Sequence, residues 1–244
     1  MIQKVSIVGA GPGDVELLTL KAQRLLKEAG AVVYDRLIGQ EILDMIAPGA
    51  EKYFAGKECK KHVMTQDEIN ELLVSLAKKG LKVVRLKGGD PLIFGRGGEE
   101  AEYLVRHGIP FEIIPGISSA TGCAAYNGIP LTHRGLATGV RYITGHCKEP
   151  ELELNWQSLA DTDTTLVVYM GLANLGVITR KLIEYGLPED FPLAAIENGT
   201  LASNRVVIST LQAAASDINA AALKPPTLLI IGRVVSLYDG LNLK

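Results

Sequence analysis

With 244 residues, 47% of them hydrophobic and 21% charged, the chain has the balance of a globular protein long enough for one large or two modest domains. A formal net charge of −2 gives no global attraction for nucleic acid or an anionic membrane, so an anionic ligand needs a local site. No apolar run approaches the roughly 18 residues of a membrane span, the opening residues lack signal-peptide architecture, and Cys59, Cys123 and Cys147 have neither zinc-ligand nor disulfide-framework spacing; the expectation is a cytoplasmic protein without a metal.

Residues 5–8 read as the first strand, followed by Gly9-Ala10-Gly11-Pro12-Gly13-Asp14. Behind this loop Leu18, Ala22, Leu25, Leu26 and Ala29 recur on one helical face. A second strand, residues 31–34, ends at Asp35. A glycine turn with an acid about 20 residues on has the outline of a dinucleotide-binding turn. The detail departs from it. The third glycine position holds Asp14, whose carboxylate opposes a pyrophosphate, and Pro12 removes a backbone donor.

Tyr53-Phe54-Ala55-Gly56 reads as a strand ending in glycine and leads to Lys57. Thr65-Gln66-Asp67-Glu68 is a capping box ahead of the apolar face Ile69, Leu72, Leu73 and Leu76. Residues 82–86 form the next strand. Lys87-Gly88-Gly89-Asp90-Pro91 leaves it, and Phe94-Gly95-Arg96-Gly97-Gly98-Glu99-Glu100 follows at once. Glycines here let a ligand lie against bare backbone. Asp90 can accept hydrogen bonds from a ribose or ammonium group, and loops at strand C-termini are where α/β folds hold ligands. A helix over 99–106 and a strand over 111–114 complete a βαβ series, which predicts a mainly parallel sheet with helices on both faces.

Pro115-Gly116 breaks the series. The second half reads as helix 118–126, strands 140–144 and 165–169, helix 173–184, and strands 193–196, 205–209 and 227–231, several of which can pair antiparallel. The expected fold is α/β with two α/β domains, a parallel-sheet domain over 1–114 and a mixed-sheet domain over 115–244, and a ligand in the cleft between them.

In the first glycine loop, Val8-Gly9-Ala10-Gly11-Pro12-Gly13-Asp14, with Leu17-Leu18-Thr19-Leu20-Lys21-Ala22 behind it, resembles the opening of the tetrapyrrole (corrin/porphyrin) methylases. Lys87-Gly88-Gly89-Asp90-Pro91 through Phe94-Gly95-Arg96-Gly97 is similar to their S-adenosyl-L-methionine (SAM) loop, and Pro115-Gly116-Ile117-Ser118-Ser119-Ala120 to their interdomain segment. Val168-Tyr169-Met170-Gly171 and Glu197-Asn198-Gly199-Thr200 match second-domain motifs, so the resemblance runs in order along nearly the whole chain. Gly95-Arg96-Gly97-Gly98-Glu99-Glu100, Gly128-Ile129-Pro130-Leu131-Thr132-His133-Arg134 and Thr144-Gly145-His146 point to the branch acting on uroporphyrinogen III.

The resemblance implies a SAM-dependent C-methyltransferase that methylates uroporphyrinogen III twice to give precorrin-2 for sirohaem and cobalamin synthesis, with S-adenosyl-L-homocysteine as product. It implies SAM, in the cleft between the domains, touching Pro12, Gly88, Gly89, Asp90, Ile93, Ser118, Ser119, Met170, Gly199 and Thr227. Relatives often carry Thr-Ala where Ser118-Ser119 stands, and Met170 by itself reads as strand-end core packing. Asp35 and Lys57 match the family's proton acceptor and proton donor; read alone, the first is a helix cap and the second a loop lysine. The eight carboxylates of the substrate call for a cationic rim, for which Arg96, His133 and above all Arg134 are the candidates, with Lys57, Lys60, Lys61 and Arg141 as further basic residues of the group. A homodimer is implied, with a small-molecule tetrapyrrole as the other partner, no nucleic acid and no membrane. Without the dehydrogenase–ferrochelatase module fused to some relatives, the chain is expected to be the stand-alone methylase. The competing readings are a later precorrin methylase, a nicotinamide-dependent oxidoreductase and a non-catalytic nucleotide-binding module.

Overall fold

The computed structural model describes residues 1–56, 64–146 and 152–241. The chain divides into two compact units, Met1–Ser118 and Ser119–Lys244.

The first unit contains β1 (Val5–Gly9), α1 (Leu20–Glu28), β2 (Ala31–Tyr34), α2 (Gln40–Leu43), β3 (Glu51–Phe54), α3 (Gln66–Lys78), β4 (Val83–Lys87), α4 (Gly97–Arg106) and β5 (Phe111–Ile114). The five strands form one sheet in the order β3-β2-β4-β1-β5, and every pairing is parallel. Helices cover both faces. Ala22, Leu26 and Ile42, from α1 and α2, pack with Val8, Val32, Val84 and Leu86, while Leu73, Leu76 and Leu104, from α3 and α4, pack with Val5, Ile7, Val33 and Val83. The strands feed opposite layers with alternate residues, as pleating requires. The capping box forms: Thr65 Oγ1 accepts from Glu68 N–H at 3.2 Å, and Glu68 Oε2 accepts from Thr65 N–H at 2.6 Å.

The second unit contains α5 (Ser119–Tyr126), β6 (Gly139–Thr144), α6 (Trp156–Leu159), β7 (Thr164–Tyr169), α7 (Leu175–Glu184), β8 (Pro192–Glu197), β9 (Arg205–Thr210), α8 (Ala214–Ala220), β10 (Thr227–Ile231) and α9 (Tyr238–Leu241). Its sheet runs β6-β7-β10-β8-β9, with β6 and β7 parallel and the other three pairings antiparallel. Ala120, Cys123 and Ala124 of α5 cover one face with Val167, Ala194 and Ile230. Helices α6, α7 and α8 cover the other through Trp156, Ile178, Leu182 and Ile218. The parallel first sheet and mixed second sheet are those the sequence predicts.

Candidate functional site

Because β1 to β5 are all parallel, their C-terminal ends share one edge, and the loops leaving them carry Pro12, Asp35, Gly88 to Ile93 and Ser118. The two glycine loops are joined there. Gly11 N–H donates to Gly89 O at 3.2 Å and Gly89 N–H to Gly11 O at 2.7 Å, beside a bond from Ala10 N–H to Lys87 O. The strand ends press together. A Cβ on Gly9 would stand 2.5 Å from Gly116 N and 2.7 Å from Gly89 O, so neither Gly9 nor Gly116 tolerates a side chain. Gly89 adopts φ +66, the left-handed region that suits glycine.

Asp90 has a role beyond the expected one. Its Oδ1 accepts from Leu92 N–H at 2.8 Å and its Oδ2 from Gly116 N–H at 3.1 Å, so the carboxylate ties the β4 loop to the segment after β5. Asp14 caps a short 3₁₀ turn, Val15–Leu17, through Glu16 N–H at 2.8 Å. Helix α1 starts only at Leu20. The first glycine loop therefore does not open a helix, and the dinucleotide turn has no helix N-terminus for pyrophosphate.

Asp35 does not cap a helix with its side chain. Its Oδ1 accepts from Arg85 Nη2 at 2.8 Å. Arg85 is buried in β4, and its Nε donates to Oε1 of the fully buried Glu100 on α4 at 3.0 Å. Lys87 Nζ reaches the same oxygen at 2.8 Å. Burial works against the Arg85 charge, and Glu100 and Asp35 outweigh it, raising the guanidinium further. Burial and then the Arg85 charge lower the Lys87 ammonium against the opposing pull of Glu100. Sequence reading missed this cluster; its one local signal is the pair of cations at alternate positions of a strand whose other residues are apolar.

In the second unit, β7 and β8 run the same way through their common antiparallel partner β10. One edge thus gathers Met170 after β7, Gly199 after β8 and Thr227 at the start of β10, which pairs with Glu197. Ser119 opens α5, whose Ala120 N–H donates to Tyr169 Oη at 3.1 Å, drawing the helix start to the same end. Met170 is 51% exposed at φ +53, so it is not the core residue its place in the strand pattern suggests. Gly199 has a structural cause: a Cβ there would collide with Cys123 Sγ. Burial pushes the Cys123 thiol up to about 11, against opposing backbone hydrogen bonds. Thr227 Oγ1 donates to Lys224 O at 2.7 Å.

Among the described residues, the non-glycine residues with left-handed backbone are Phe94, Arg96, Met170, Asn198 and Ala222. All but Ala222 fall in the glycine loop or the second-unit motifs. Such conformations are strained and gather at ligand clamps, so these loops are shaped for more than chain reversal.

The rim candidates fare differently. Arg96, at the N-cap of α4, makes a two-pronged ion pair with Glu99 through Nε at 2.9 Å and Nη2 at 2.6 Å, and is exposed. The structure does not bring His133 and Arg134 to the Met170 edge. His133 is bridged to Ala137, and Thr138 N–H donates to Asp163 O at 2.8 Å, at the start of β6 and β7. That is the far end of strands six residues long. Arg141 Nη1 donates to Ser158 O. Lys57, Lys60 and Lys61 lie outside the described residues.

The profile of the tetrapyrrole (corrin/porphyrin) methylases matches residues 4–215. A siroheme synthase of Nitrosospira multiformis is 53% identical over 235 residues, 96% of this chain and 50% of that protein. A siroheme synthase of Escherichia coli is 52% identical over 239 residues, 98% of this chain and 52% of that protein. The chain thus spans about half the length of the curated relatives it matches. The uroporphyrin-III C-methyltransferase of Thermus thermophilus, solved in complex with S-adenosyl homocysteine, is 42% identical with a TM-score of 0.82, covering 96% of this chain and 94% of that one. A cobalt precorrin-4 methyltransferase is 26% identical with a TM-score of 0.86 and 95% coverage of both chains. Sequence along most of the chain and backbone along nearly all of it agree, and the chain belongs to the tetrapyrrole (corrin/porphyrin) methylase family.

Proposed function

We propose that this chain is a SAM-dependent C-methyltransferase that methylates uroporphyrinogen III twice to give precorrin-2, on the route to sirohaem and cobalamin. The observation that carries the reading is Asp35: a part-exposed carboxylate at a strand C-terminus, on the glycine-loop edge, with one oxygen fixed by Arg85. The identity to the methyltransferase solved with S-adenosyl homocysteine supports the choice of methyl donor.

Pro12, Gly88, Gly89, Asp90, Ile93 and Ser118 on the first edge, and Ser119, Met170, Gly199 and Thr227 on the second, would hold SAM. Their fit rests on the left-handed Gly89 and Met170, the exposed Met170 side chain and the glycine backbones of the joined loops. Bound SAM supplies an electrophilic methyl group, which a pyrrole carbon of the substrate takes as the S–CH₃ bond breaks and S-adenosyl-L-homocysteine leaves. The protein's part is mainly orientation. The new C–C bond leaves the macrocycle cationic, and Asp35 accepts the proton whose loss restores neutrality. Arg96, freed from Glu99, is an exposed cation at the end of the glycine loop that would pair with a substrate carboxylate.

Cytoplasmic location and a homodimer complete the proposal. Among the described residues no helix is long and apolar enough to cross a membrane. The β9 edge strand, with Ile208 42% exposed, favours a second copy, and light scattering at micromolar concentration should return twice the chain mass.

Asp35→Asn tests the reading. SAM affinity should stay near normal while methyl transfer falls about 100- to 10,000-fold, the usual contribution of a general base. Retained activity would remove Asp35 from the chemistry.

A further inference from the structure

Arg85, Lys87 and Glu100 are an expensive arrangement for a small domain. Side-chain exposure is 2% for Arg85, 4% for Lys87 and 0% for Glu100. Buried ion clusters give little net stability relative to apolar packing of the same volume. The cluster is also lopsided. Glu100 Oε1 accepts from Arg85 Nε at 3.0 Å, Lys87 Nζ at 2.8 Å and Gln66 Nε2 at 3.2 Å, while Oε2 is buried with no hydrogen-bond partner among the described residues. Only one member reaches solvent, Asp35, with 31% of its side chain exposed. The row of charges therefore runs from α4 through β4 and ends on the carboxylate at the glycine-loop edge.

We propose that Lys87 and Glu100 are positioning residues for Asp35: a buried charge pair that, acting through Arg85, sets the orientation and the basicity of its carboxylate. The inference rests on the reading of Asp35 as the base. Glu100 fixes the guanidinium through Nε, so that Nη2 meets Asp35 Oδ1 and leaves Oδ2 to take the proton. Among the described residues, the charges linked to Asp35 through this cluster are Arg85 and Lys87, both positive, and Glu100, negative; Arg36 adjoins Asp35 in sequence, and Arg96 and Asp67 lie beyond, Arg96 feeling both Glu100 and Asp67. The cluster by itself therefore presents Asp35 with one net positive charge. Lys87→Met would leave Arg85 and Glu100 to cancel. The ionised form of Asp35 is then less favoured, and its titration moves to higher pH. Adding Glu100→Gln removes the negative charge that cancels Arg85 and restores one net positive charge.

The test follows the carboxyl carbon of Asp35 by NMR in the full chain labelled at aspartate, with the signal assigned by its loss in Asp35→Asn. The Lys87→Met midpoint should rise above that of wild type. It should return toward wild type in Lys87→Met/Glu100→Gln and stay there in Lys87→Arg. The acid limb of the methyl-transfer pH profile should follow the same order, with the KM for SAM unchanged. A purely structural cluster would lower Tm in these variants without moving the midpoint in opposite directions. An unmoved or lowered midpoint in Lys87→Met, or no reversal in the double variant, overturns the inference. Active Asp35→Asn would instead remove the base reading itself, whereas inactive Asp35→Asn with an unmoved midpoint removes only the present inference.

Discussion

Gly89 shows how much a single backbone position carries. Its φ of +66, its two hydrogen bonds to Gly11 and its carbonyl against Gly9 leave no slack for a side chain that prefers the β region. Gly89→Val should destabilise the fold by about 1–3 kcal/mol, the usual cost of a residue forced into a sparsely populated backbone region. Calorimetric titration of the folded variant should show SAM affinity at least tenfold weaker; unchanged affinity would take the loop out of the site. The importance of this glycine was legible in the sequence, because glycines clustered after a strand have few other uses. The role of Asp90 was only half legible. An acid in a glycine loop reads as a ligand acceptor, and nothing local reveals that its oxygens bind amides 2 and 26 residues away. The pairing of Arg85 with Glu100 is hidden for the same reason: strand and helix meet only after the sheet forms.

At the scale of elements, β5 is tied to its neighbours by one carboxylate. Glu112 takes Lys4 and Lys21 at 2.7 Å each and Ser6 Oγ at 3.0 Å, linking β5 to the start of β1 and to α1. Burial pushes its acid constant up, but the bonds from Lys21, Lys4 and Ser6 outweigh that and bring it down from 4.5 to about 2. A carboxylate held below its unfolded value stabilises the fold at neutral pH, and that share is lost as pH falls from about 4.5 to about 2. The Tm of Glu112→Gln should lie below wild type at pH 7, and the two should converge near pH 2; a gap independent of pH would contradict the ion-pair origin. Added salt should narrow the gap at neutral pH, because both lysines are about half exposed. The strands and the longer helices were legible from periodicity: β1, β2, β4, α4, β5 and α7 lie within two residues of expectation, and α3 begins behind its expected capping box. The short helices α2, α6 and α9 were not, since four residues barely span one turn of a 3.6-residue period. Helix α8 is alanine-rich and offers little contrast between its faces.

At the scale of the whole molecule, the alternation of strands and helices announced a parallel sheet followed by a mixed one, and both are present. The strand orders were not readable. In β3-β2-β4-β1-β5 the neighbours β1 and β4 are separated in sequence by two strands and three helices and by residues outside the description, and only tertiary packing of the apolar layers selects that order. The same orders decide the chemistry. They put Asp35 beside the β4 loop on one edge, collect Met170, Gly199 and Thr227 on another, and carry His133 to the far end of β6 and β7. The central claim is that these edges serve methyl transfer to a tetrapyrrole. The most direct measurement is mass analysis of the product after anaerobic incubation of the purified chain with SAM and uroporphyrinogen III. The account predicts a product carrying two added methyl groups, with two equivalents of S-adenosyl-L-homocysteine released; unmodified uroporphyrinogen III in the presence of demonstrably bound SAM would contradict it.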